Sequence, residues 1–146
     1  MRILVINGPN LNLLGMREPE IYGRKTLQDL EELLRPLSIE RGIQLSFFQS
    51  NHEGAIIDAI QQGRLSADGI IINPAAYSHT SIAILDALKV VGLPAVEVHL
   101  SDITQRESFR HFSYTSQGCI KTIAGKHFQG YVDALDELKK YIHLHS

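Results

Sequence analysis

GIIINPAAYSHTS, residues 69–81, decides the fold. Gly69 to Ile72 is apolar without a break, whereas a strand with one wet face alternates apolar and polar residues. An unbroken run of this kind suits a strand covered on both faces, the habit of parallel sheets in α/β proteins. The run stops at Asn73-Pro74. A helical pattern follows from Thr80 to Val91 and is closed by Gly92-Leu93-Pro94.

The same grammar repeats in both directions along the chain. Ile3 to Ile6 reads as a buried strand ended by Asn7-Gly8-Pro9. Thr26, with Asp29 three residues on, has the form of an N-cap; Leu27, Leu30, Leu34 and Leu37 follow at helical spacing up to Gly42. Pro36 is expected to bend or interrupt that helix. Ile43 to Gln49 is a second strand, and Glu53 to Gln62 a second long helix ended by Gly63. Ala95 to His99 is the fourth strand, Gln105 to Phe109 a short helical turn, and Cys119 to Ile123 the fifth strand. Phe128, Val132, Leu135, Leu138 and Ile142 share one face of a last helix.

Alternating strands and helices predict an α/β fold: a flavodoxin-like, doubly wound, five-stranded parallel sheet with helices on both faces. An eight-fold barrel needs roughly 250 residues, and this chain has 146. No linker or repeat interrupts it, so residues 1–146 are read as a single catalytic domain. A composition of 44% hydrophobic and 21% charged residues is that of a soluble globular protein. A formal net charge of -2 without a basic run argues against nucleic acid or an anionic membrane as partner. Apolar runs are too short to span a bilayer, and MRILVINGPN lacks the pattern of a signal peptide. The single cysteine, Cys119, allows no intrachain disulfide and fits a cytoplasmic location.

In open parallel sheets ligands bind beyond the carboxyl ends of the strands. Those ends read Asn7-Gly8-Pro9-Asn10, Ser50-Asn51-His52-Glu53, Asn73 to His79 and His99-Leu100-Ser101-Asp102. Asn10, Asn73, His79, His99 and Ser101 are therefore expected around one cleft. Several chemistries lack their signatures. NGPNLN stands where a dinucleotide fold carries GxGxxG, and no Walker lysine, HExxH, CxxC or GxSxG occurs. No metal and no cofactor is expected. Cys119 reads as a core thiol, and Lys121 lies in a strand with no evident means of activation as a Schiff base.

What remains is acid–base chemistry. The stretch LGMREPEIYG, residues 14–23, places Arg17 and Tyr22 in irregular backbone bracketed by Gly15 and Gly23. A free tyrosine has a pKa of about 10, so only ~0.1% is phenolate at neutral pH. A close guanidinium favours phenolate, and lowering the pKa by two to three units takes roughly 3–4 kcal/mol. Amides can hold an oxyanion, and a histidine can return a proton to a leaving oxygen. The toolkit suits proton abstraction beside a carbonyl followed by loss of water. A binding module of the same fold without turnover is the second reading, and a nucleotide-binding reductase, lacking a Gly-rich phosphate loop, the third.

The blocks NGPNLNLLGMREPEIYG, NPAAYSHTSIAILDAL, VEVHLSDITQRESFR and FQGY, in this order and spacing, closely resemble the type II 3-dehydroquinate dehydratase family. The resemblance covers nearly the whole chain. It implies reversible dehydration of 3-dehydroquinate to 3-dehydroshikimate, through an enolate and without metal or Schiff base, in the shikimate or quinate pathway. By the same resemblance Tyr22 is the base, Arg17 its activator and Asn10 the amide that stabilises the enolate. His99 is the acid that protonates the departing hydroxyl, and Glu97 its carboxylate partner. Asn73, His79 and Arg110 contact substrate, Leu100 and Ser101 hold its carboxylate, and Asp86 reaches the site of a neighbouring subunit. The family forms trimers, usually four of them in a dodecamer, so a homo-oligomer is implied. Departures from the family pattern include Ala75 where glycine is common, Asp102 where asparagine is common, and Leu85 where arginine often precedes the aspartate. Segment 14–23 then reads as a lid carrying the base and its activator.

Overall fold

A computed structural model of the chain describes residues 1–16, 18–22 and 24–146, with Ile21 and Tyr22 described by backbone alone. Five strands, β1 (Arg2–Asn7), β2 (Gln44–Gln49), β3 (Gly69–Asn73), β4 (Ala95–His99) and β5 (Lys121–Ala124), form one sheet in the order β2-β1-β3-β4-β5. Every neighbouring pair is parallel. This is the flavodoxin-type order expected from the sequence, with the winding reversing between β1 and β3.

Helices α1 (Pro19–Tyr22), α2 (Leu27–Glu40), α3 (Glu53–Ser66), α4 (Ile82–Val91) and α5 (Gln129–Leu144) make the crossovers and the C-terminal layer. Strand alternation sorts side chains to the two faces. Ile3, Val5, Ile71, Val96 and Val98 meet Leu30 and Leu34 of α2 and Leu135 and Leu138 of α5. Leu4, Ile6, Ile70, Ile72 and Ala95 meet Ile56 and Ile60 of α3 and Ile84 and Leu88 of α4. Central β3 is buried over its whole length, which is why its sequence shows no alternation.

Local signals hold where they are self-contained. Thr26 and Asp29 form a reciprocal capping box, and Gly92 ends α4 in the left-handed region at φ 70°. Two helix expectations are corrected. Pro36 lies inside α2 without interrupting it. Glu32 and Pro36 are both on its exposed side, where water can satisfy the Glu32 carbonyl that proline cannot. Gly63 does not stop α3, which continues to Ser66. A β-carbon there would lie 3.3 Å from Leu4 Cδ2, so Gly63 marks close helix–sheet packing. The 105–109 turn resolves into two 3-10 turns, Ile103–Gln105 and Ser108–Arg110, and α4 begins two residues late, capped by Ser81. The fifth strand begins at Lys121 rather than Cys119. Among the described residues no helix is long and apolar enough to cross a membrane.

Candidate active site

The carboxyl ends of β1, β3 and β4 open onto a cleft of about 280 Å³. Asn10, Asn73, His79, His99, Leu100, Ser101 and Arg110 line it, together with Arg106 and the small or apolar residues Pro9, Leu11, Ala75, Ala76 and Ile103. Seven residues named from sequence thus converge. Asp86 does not line this cleft; it is exposed on α4. Arg17 lies outside the described residues, as does the side chain of Tyr22, whose backbone closes α1.

The turn after β1 is held from two sides. Gly8 N–H donates to the Asn73 carbonyl at 2.8 Å, tying the ends of β1 and β3 together. A β-carbon on Gly8 would sit 2.6 Å from the Pro74 carbonyl oxygen, so only glycine permits this approach. Asn10 adopts the left-handed region at φ 70°, and its N–H donates to Asn51 Oδ1 at 2.9 Å. Asn51 is anchored in turn, its carbonyl accepting the Tyr77 hydroxyl at 2.9 Å. Ala75 also sits at positive φ, 52°, in the region that glycine occupies most easily. Its N–H donates to Asn73 Oδ1 at 3.1 Å.

The two histidines are presented in fixed attitudes. His99 and Glu97 are two residues apart on β4 and so point to the same face. Their Nε2 and Oε2 atoms lie 2.7 Å apart. This leaves the other His99 nitrogen, Nδ1, for the cleft. Glu97 is fully buried. Its Oε2 also accepts the Ser113 hydroxyl at 2.7 Å, and its Oε1 accepts the Thr115 hydroxyl. Three donors around one buried carboxylate offset its desolvation. His79 Nδ1 lies 2.8 Å from the Phe112 carbonyl, an acceptor only, so Nδ1 carries the proton and Nε2 is left over. The His79 and His99 rings stack with centroids 6.3 Å apart.

Two arginines give the cleft its positive charge. Arg106, only 12% exposed at its side chain, donates to Ser101 Oγ at 3.4 Å and stands 3.9 Å from Glu18 and 4.0 Å from Glu107. Arg110 Nε lies 3.3 Å from both Glu107 oxygens. Asp102, beside Ser101, accepts from the Thr104 hydroxyl at 2.6 Å and from its N–H at 3.0 Å. These bonds, the hydroxyl first, hold its carboxyl below the usual carboxylate range.

Four residues of this constellation are not singled out by sequence reasoning. Arg106 reads either as a structural charge or as one at the substrate's edge, and Ser113 and Thr115 resemble ordinary loop hydroxyls. Tyr131 is on a helix where packing is the default; its position beneath the cleft depends on how α5 docks. Residues with alternative chemistry are accounted for. Burial, reinforced by Glu97, raises the Cys119 thiol well above its ordinary value, so it is a poor nucleophile. Lys121 is paired with Glu137 at 2.9 Å on the surface. Among the described residues no group of three His, Cys, Asp or Glu side chains is placed to hold a metal ion.

Comparison with known proteins converges on one family. Residues 1–139 match the family model described as dehydroquinase class II. The chain is 56% identical over 137 residues to a 3-dehydroquinate dehydratase of Streptomyces coelicolor, covering 93% of this chain and 87% of that protein. It is 54% identical over 129 residues to one of Cereibacter sphaeroides, covering 88% of each. The type II dehydroquinase structure from Butyrivibrio crossotus superposes with a TM-score of 0.93 at 48% identity, over 94% of this chain and 97% of that one. With a sheet order, a polar cleft and a nearly full-length match that all agree, the chain belongs to the class II dehydroquinase family.

Proposed function

We propose that the cleft dehydrates 3-dehydroquinate to 3-dehydroshikimate by acid–base elimination, with His99 as the proton donor to the leaving hydroxyl. The observation that carries this reading is the bond between His99, which lines the cleft, and the buried Glu97 carboxylate. A carboxylate within hydrogen-bond reach of the ring stabilises the imidazolium, and that cation is the acid the second half of the reaction needs.

Tyr22, as phenolate beside Arg17, takes a proton from the carbon next to the ketone. The electron pair left behind forms an enolate, whose oxygen is held by the Asn10 amide and an ordered water. The enolate then re-forms the ketone and expels the hydroxyl, which leaves as water with a proton from His99. Asn73, His79 and Arg110 hold the substrate hydroxyls and carboxylate, and Leu100 N–H and Ser101 bind the carboxylate. Arg106 adds a second guanidinium on that side.

The full chain acts as one catalytic domain in this reading, in the cytoplasm and without cofactor. Homotrimers, four to a dodecamer, place Asp86 of one subunit near the site of the next; its exposure on α4, away from its own cleft, supports that role. Arg17 activates Tyr22 in this reading; the lid role read from the sequence for residues 14–23 falls partly on residues outside those described. The stems of that segment already touch: a β-carbon on Gly15, which sits at φ 93°, would lie 2.7 Å from the Arg24 carbonyl oxygen.

The test is to add 3-dehydroquinate to purified protein and follow the ultraviolet absorbance of the conjugated product across roughly pH 6–9. Steady product formation is expected, and Tyr22→Phe should bind substrate yet lose at least about a hundredfold in kcat. No absorbance change with the unmodified protein defeats the dehydratase reading and leaves a binding module.

A further inference from the structure

Asn7 and Asn73 end neighbouring strands β1 and β3 at the same register, and both are almost completely buried. Beneath them stands Tyr131 of α5, itself 1% exposed. The Tyr131 hydroxyl donates to Asn7 Oδ1 at 2.6 Å and accepts from Asn73 Nδ2 at 3.0 Å. Asn73 Oδ1 accepts the Ala75 N–H at 3.1 Å.

This chain of bonds has a direction. A tyrosine hydroxyl has one proton, and here it is committed to the Asn7 carbonyl. The oxygen can then only accept from Asn73, which requires its Nδ2 on that side. A flipped Asn73 amide would set its NH2 against the Ala75 N–H, donor against donor, and its oxygen against a hydroxyl with no proton to give. Both errors would be buried, where an unpaired polar group is costly. The amide of Asn73 is therefore locked, with one N–H and one lone pair left for the cleft that Asn73 lines.

We infer that Tyr131, backed by Asn7, is a positioning residue that fixes the amide of Asn73 for its contact with substrate. The inference rests on the proposed role of Asn73 as a substrate contact. The hydroxyl is not a rival base. Burial raises it well above the ordinary tyrosine value, so it stays protonated and keeps the direction of the chain.

A double-mutant cycle with 3-dehydroquinate tests this. Asn73→Ala is expected to raise KM about tenfold, and Tyr131→Phe about three- to tenfold, each with a smaller change in kcat. In the double variant Tyr131→Phe should add nothing to KM beyond Asn73→Ala. Multiplying effects, or an unchanged KM in Tyr131→Phe, overturn the inference. An unchanged KM in Asn73→Ala, with turnover intact, overturns the Asn73 contact and this inference with it, while the dehydratase reading stands. If Tyr131→Phe does not fold, the unmodified protein supplies the answer. The Asn73 side-chain amide resonances, assigned by their loss in Asn73→Ala, should include a proton exchanging slowly with solvent. Fast exchange of both protons overturns the lock.

Discussion

Glu97 Oε2 lies 2.7 Å from His99 Nε2, and the Ser113 and Thr115 hydroxyls close off the rest of the same carboxylate. The imidazole is thereby aimed, and its cationic form is matched by a fixed negative charge. Glu97→Gln keeps the shape and removes the charge. We expect kcat to fall about ten- to a hundredfold with KM little changed, measured by steady-state product absorbance. An unaltered kcat would remove Glu97 from the machinery.

Arg106 stands in the cleft wall between Ser101 and Glu18. A guanidinium there is expected to attract the substrate carboxylate and to fork onto it, which a lysine does less well. Arg106→Ala should raise KM about tenfold, and Arg106→Lys should recover only part of the loss. The KM of the unmodified protein should rise with added salt more steeply than that of Arg106→Ala. Equal salt dependence would make Arg106 a purely structural residue.

Gly8 and Pro74 meet backbone to backbone. Gly8→Ala forces a β-carbon to 2.6 Å from the Pro74 carbonyl oxygen, and neither group is a flexible side-chain end. The ends of β1 and β3 must part, at a cost of about 1–3 kcal/mol. Thermal unfolding should shift down by about 4–10 °C, and kcat/KM should fall with it because Asn10 and Asn73 flank the joint. A variant with unchanged Tm would show that the joint relaxes freely.

Asp102 titrates below the ordinary range because Thr104 donates to its charged form. A folded value below the unfolded one stabilises the 102–105 turn above the unfolded pKa of about 3.9 and loses that stabilisation as pH falls through the folded value. Carboxyl carbon shifts followed by NMR should place the Asp102 midpoint below about 3.9, and Thr104→Val should move it upward. A midpoint unmoved by Thr104→Val would assign the shift elsewhere.

Much of the architecture was legible in the residues because it depends on local period and local caps. Unbroken Gly69–Ile72 announced a strand covered on both sides, and Thr26 with Asp29 announced the start of α2. Gly63 and Pro36 misled for one reason. Their intrinsic preferences are breakers, but a helix packed on a sheet continues through a glycine that improves the contact, or a proline on the wet side.

The sequence by itself determined which strand ends carry polar groups, and with them that Asn10, Asn73, His79, His99 and Ser101 share an edge. A parallel sheet puts all its carboxyl ends together, so order along the chain was enough. Only the tertiary structure decided what stands behind those groups. Tyr131 reaches Asn7 across 124 positions, and Ser113 and Thr115 reach Glu97 across 16 and 18. Such partners leave no period or motif, because a buried polar group needs a donor or acceptor of the right kind at the right place, from whatever part of the chain the fold delivers.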